Sequence, residues 1–140
     1  MTPQNLCILA SGGFFLVGLV TGVWKYRQVK ASPESRAHVY VDIAHRAALM
    51  YAFASLVLAE FAARSPLGDG VTYACVIAPL VFFAIAIGAY IVHGLARDTE
   101  NQFEEPGWAT HITMFGLFVA EIGGFGVLFV AVAWTMLTGD

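Results

Sequence analysis

Apolar residues run along the chain in four long blocks, about Leu6–Trp24, Tyr40–Ala63, Val71–Ala96 and Trp108–Leu137, with polar stretches between them. Each block reaches the roughly 20 residues that a helix needs to cross a hydrocarbon core about 30 Å thick. Helix is the expected form, because it satisfies its own backbone hydrogen bonds where there is no water. The pattern therefore predicts an all-α membrane protein, a single four-transmembrane-helix domain over residues 1–140. The fourth block is long enough to tilt or to protrude beyond the headgroups.

The breaks have the chemistry of connections. "QVKASPESRAH" is a polar, proline-containing loop, and "RSPLGDG" is a short turn rich in helix breakers. "LARDTENQFEEPGW" is the longest polar connection, and its acidic run reads as a solvated loop without chemistry. The region around 34–50 shows no repeat in the later helices, which argues against an inverted-repeat transporter.

Composition strengthens the membrane reading. The chain is 59% hydrophobic and only 12% charged, with a mean hydropathy of +0.73. So few charges would not cover the surface of a soluble domain of this size. "MTPQN" has no basic residue, and no A-x-A-like site follows the first block, so that block is expected to be a mature helix rather than a cleaved signal. Lys25, Arg27, Lys30 and Arg36 crowd the first connection, Arg46 and Arg97 lie on the same side, and Arg64 alone marks the other. The bias places the 1–2 and 3–4 loops in the cytoplasm and both termini outside. No nucleic-acid partner is expected.

Cys7 and Cys75 both fall near the outer ends of their helices, where a disulfide is conceivable, but buried small side chains are the better reading of two cysteines without a motif. Glycines are frequent on the first and fourth helices, and Gly18-x-x-x-Gly22 fits the small-xxx-small pattern of close helix approach.

The polar groups inside the blocks need a reason. All four histidines collect at one membrane depth: His38 before helix 2, His45 near its start, His93 near the end of helix 3, and His111 one turn into helix 4. An interfacial, structural role suits His38 best. His45 runs directly into apolar sequence, where ionisable groups are functional by default. His38, Asp42 and His45 are spaced to share a helical face, so Asp42 is expected to accept the second ring N–H of His45, as carboxylates do beside metal-binding histidines. Asp42 is equally an ordinary helix-start acid. Arg46 and Arg36 suit anionic groups at the interface, such as lipid phosphates or haem propionates.

No HExxH, Cys/His zinc spacing or di-iron Glu-x-x-His pair is present. A lone histidine at the mouth of an apolar helix suits haem better, since haem needs one or two axial side chains and a large dry slot. "LVFFAIAIGAYIVH" offers such walls, with Tyr90 and His93 a turn apart, although an aromatic stripe more often serves helix contacts than a cofactor. Glu121, in "FVAEIGGFG", is a carboxyl in mid-helix, expected to be protonated or bonded to a hydroxyl or backbone group as a proton relay or an interhelical tie. Glu60 reads as interfacial.

The "SPES…AH" lead into helix 2, "AHRAALMYAF", and "GAYIVHGLARDTENQF" at the end of helix 3 resemble the styrene oxide isomerase group, small integral-membrane enzymes that turn aryl epoxides into aldehydes. The resemblance spans about residues 30–125. It implies a bacterial inner-membrane trimer with haem b at the subunit contacts, His45 as axial ligand and Tyr90 orienting a hydrophobic substrate drawn from the bilayer. It also implies Lewis-acid opening of the epoxide at ferric haem, followed by a 1,2-hydride shift to the carbonyl. The chain departs from the group twice. Tyr51 stands where an asparagine is expected six residues after the ligand histidine, and Phe82 where an aspartate is expected eight before the tyrosine. Tyr51 keeps a hydrogen-bonding hydroxyl, whereas Phe82 replaces no carboxylate. Two other readings stay open: a small b-type cytochrome with His93 or His111 as second ligand, and a cofactor-free transport or assembly subunit.

Overall fold

The computed structural model describes residues 1–104 and 107–139, so the acidic run at Glu104 lies partly outside it. Helix α1 spans Pro3–Ala31, α2 Val39–Ala63 and α3 Asp69–Ala96. The fourth crossing is made of α4 (Trp108–Phe118), a π-helical turn (Val119–Gly123) and α5 (Gly124–Thr138) in one continuous rod. Four helices are thus long and apolar enough to cross a membrane, and no strand occurs among the described residues.

The caps explain where the helices begin. Thr2 Oγ1 accepts from the Asn5 amide at 3.2 Å, with Pro3 in the first turn, where its missing N–H costs nothing. His38 caps α2, its Nδ1 accepting from the Tyr40 amide at 3.3 Å. Helix α3 ends on Arg97 in the left-handed region (φ 52°), whose amide reaches back to the His93 carbonyl at 2.8 Å.

The first helix runs further than its apolar block. Lys25, Arg27 and Lys30 sit on the last turns of α1 rather than in a loop, and the chain leaves helix only at Ser32, before Pro33. Lys, Arg and Gln are good helix formers, so the change from apolar to polar marks the edge of the hydrocarbon without ending the helix.

The buried core lies toward the end of the bundle that carries both termini. Cys7, Leu58, Ala59, Cys75, Val76, Leu80, Phe83 and Leu128 form one cluster there. Both thiols are free and buried, as small core side chains are. Helices α1 and α2 make the most extensive contact, and α5 seats on α3 through Gly124. A Cβ on Gly124 would stand 2.6 Å from the Cys75 carbonyl oxygen and 3.2 Å from the Pro79 ring. Pro79 has no amide to offer that carbonyl, so the close backbone approach occurs where α3 is irregular. Helix α4 stands off from α3, leaving a cavity of about 250 Å³ between them.

Candidate functional site

The α1–α2 seam holds His45. Its Nδ1–H donates to the Gly18 carbonyl at 2.8 Å across the helix contact. A carbonyl can only accept, so the proton of a neutral ring sits on Nδ1 and Nε2 keeps its lone pair. Gly22 makes room for the ring: a Cβ there would meet His45 Cε1 at 2.9 Å and Nδ1 at 3.1 Å. Gly18 in turn receives Leu49, with Cδ2 only 2.6 Å from where a Cβ would be. The small-xxx-small pair therefore serves a contact inside the chain, with an imidazole seated in it.

Asp42 does not accept from His45. Its two oxygens take Lys25 Nζ at 2.5 Å and Arg46 at 2.9 Å. Helix geometry left Asp42 on the right side of α2, but Lys25 reaches it because α1 continues past the apolar block. These side chains are 31% exposed or more, so the ion pairs contribute under about 1 kcal/mol and serve mainly to set orientation. Arg46 is exposed, and exposed Arg36 borders a wide depression at the loop end together with Lys25, Arg27, His38 and Arg97.

The four histidines share an end of the bundle and no common point. His38 is a helix cap. His93 Nδ1–H donates to Asp98 Oδ1 at 2.9 Å, and its ring lies against Tyr40, with centroids 5.1 Å apart. That bond holds the Asp98 carboxyl below the usual carboxylate range. His111 is exposed on α4. Tyr40 and His45 are five residues apart on α2, about 140° around the helix, so the His93 ring lies on another face from His45. Within one chain, neither His93 nor His111 stands opposite His45 as a second axial ligand. Among the described residues no three His, Cys, Asp or Glu side chains are placed to hold a metal together.

The tyrosines lie on the α3 side. Tyr51 stacks on Phe83 with centroids 4.2 Å apart, and Tyr90 stacks on Tyr40 at 6.1 Å. Tyr90 and His93 line the α3–α4 cavity with Phe82, Ala86, Met114 and Leu117. The Phe82 ring fills the space over Gly116, where a Cβ would meet its Cζ at 2.8 Å. Six residues separate His45 from Tyr51, about 120° around α2, so imidazole and phenol look out of different sides of that helix.

Two features escaped the sequence. The Gly18 carbonyl as partner of His45 had a signal, the glycine pair itself, which marks where a ring can approach backbone. The π turn around Glu121 had none, because one extra residue in a helical turn leaves composition and hydropathy unchanged. Comparison with known proteins finds no matching family model, no matching curated protein and no matching solved structure.

Proposed function

We propose that this chain is a haem b-dependent membrane isomerase that converts aryl epoxides to carbonyl compounds, working as a trimer in the bacterial inner membrane. The observation that carries the reading is the His45 ring, tied through Nδ1 to a backbone carbonyl with Nε2 left over. Ligating histidines are held in this way, because the second-nitrogen bond fixes tautomer and ring orientation. The donor set fits haem: His45 would hold the iron, and the exposed Arg46 and Arg36 would meet its propionates at the loop end. Lys25, Arg27, Lys30, Arg36 and Arg97 at that end, against Arg64 at the other, support its cytoplasmic placement.

A ferric haem held there would supply Lewis acidity toward an epoxide. The residues of the chain do the rest. Tyr90 and Tyr51 offer hydroxyls to the oxygen as its C–O bond breaks and negative charge develops. Apolar walls keep water from the carbocation, which would otherwise be captured as a diol. The hydride moves within the substrate, so no separate acid–base pair is required. His45 and the tyrosines face different sides of α2, so a site that uses both takes the histidine from one copy and the tyrosines from the next. The trimer of the resembled group supports that arrangement.

The test is an absorption spectrum of the detergent-purified protein with haemin, followed by incubation with styrene oxide. A five-coordinate ferric spectrum with formation of phenylacetaldehyde is expected. A six-coordinate bis-histidine spectrum without product would favour the cytochrome reading. A protein that takes up no haemin would leave His45 as a helix–helix tie.

A further inference from the structure

Most polar side chains within the spans have a partner. Ser11 donates to the Ala52 carbonyl at 2.8 Å, Ser55 to Tyr51 at 2.7 Å and Thr21 to Val17 at 2.7 Å. Glu121 is different. Its Oε1 is buried and makes no hydrogen bond. Leaving such an atom unpaired costs about 1–3 kcal/mol, and more for a charged group. Glu121 also sits within the π turn, a distortion that recurs at functional sites.

Two further groups near it have hydrogen-bonding capacity to spare. Glu121 lies within electrostatic range of the Tyr51 and Tyr90 hydroxyls. Both phenols are half-buried, and neither makes a hydrogen bond among the described residues. Three helices thus bring unused polar atoms toward one region. The α3–α4 cavity borders that region: Tyr90 and Leu117 are in its wall, and Leu117 is one turn before Glu121, while Glu121 and Tyr51 themselves stand just outside the wall. Its volume of about 250 Å³ lies below the usual range for drug-sized ligands, and its deep wall of Phe82, Ala86 and Leu117 is apolar. A small lipophilic molecule fits that description.

We propose that Glu121, together with Tyr51 and Tyr90, anchors the oxygen atom of a small lipophilic epoxide, carbonyl compound or alcohol that enters the α3–α4 cavity. Since Glu121 Oε1 has no hydrogen-bond partner among the described residues, the neutral carboxyl is the form that this apolar setting supports, and its O–H donates to the ligand oxygen. The proposal deepens the isomerase reading by adding a third positioning group on the tyrosine side of the site.

Binding of styrene oxide and of ethylbenzene, which has a similar outline without the oxygen, tests this in the full chain reconstituted in lipid nanodiscs. The anchor predicts roughly tenfold tighter binding of styrene oxide, the worth of one hydrogen bond. Infrared difference spectra should show a protonated carboxyl band that shifts on adding styrene oxide and is absent from Glu121→Gln. Glu121→Leu should lose most of the preference, keeping only what Tyr51 and Tyr90 supply, and Glu121→Gln should keep more of it through its amide. Equal binding by the wild type, or a full preference surviving in Glu121→Leu, overturns the proposal. So does a carboxyl band indifferent to styrene oxide, which would make water the occupant. Haem content separates the two readings: it should be unchanged in both Glu121 variants and lost in His45→Ala. A wild type that binds no haemin but keeps the probe preference would sink the isomerase reading alone.

Discussion

The α1–α2 seam and the α3–α4 seam lie in the same bundle and treat their polar groups in opposite ways. In the first, glycines bring the backbones close, and the imidazole of His45 is bonded to Gly18 and seated against Gly22. In the second, Phe82 wedges over Gly116, a cavity remains, and Glu121 just beyond it has an oxygen without a partner. A fixed ring suits a group that must hold something in one orientation. Open space next to unused polar atoms suits one that must accept something mobile. The contrast supports assigning holding to His45 and substrate anchoring to the tyrosine–glutamate side.

Adding one methyl group to each seam is the strongest way to break that contrast. Gly22→Ala puts a Cβ 2.9 Å from a ring already tied to backbone, so the imidazole has to give up its bond or the helices must part. The expected cost is about 1–3 kcal/mol in detergent unfolding, with haem uptake falling toward that of His45→Ala. Gly116→Ala meets only the far end of Phe82, which can swing into the adjoining cavity, so a change under about 1 kcal/mol with unaltered haem uptake is expected. Equal losses in the two variants would show that the seams do not differ as described. Gly12→Ala is the control, because a Cβ there has open space around it.

The sequence made the helices legible because length and hydropathy are enough to specify a membrane crossing. They predicted the second helix to within a residue at each end, and left the first seven residues short at its polar end. The histidine-rich end was legible too, as a depth. Its directions were not, since they depend on which face of α2 meets α1 and which meets α3. Asp42 illustrates the limit: helical spacing allowed it to serve His45, but a lysine from a neighbouring helix was closer.

The smallest effect is expected at the loop that follows α3. The bond from His93 lowers the Asp98 carboxyl, so its contribution is fully present above the unfolded value of about 3.9 and is lost only as pH falls through the lower folded value. Protection against amide exchange in residues 97–104 should therefore hold steady from neutral pH down to about pH 4 and fall only below it. Asp98→Asn should show the lower protection throughout. Protection already lost well above the carboxylate range would contradict that role for Asp98.

The proposed binding of haem by His45 is tested by a spectrophotometric titration of haemin into the purified wild type, His45→Ala and His38→Ala. The wild type and His38→Ala should each take up one haem per chain with the same Soret band, and His45→Ala should take up none with that spectrum. An unchanged band in His45→Ala would contradict the assignment and return His45 to the role of a bond between α1 and α2.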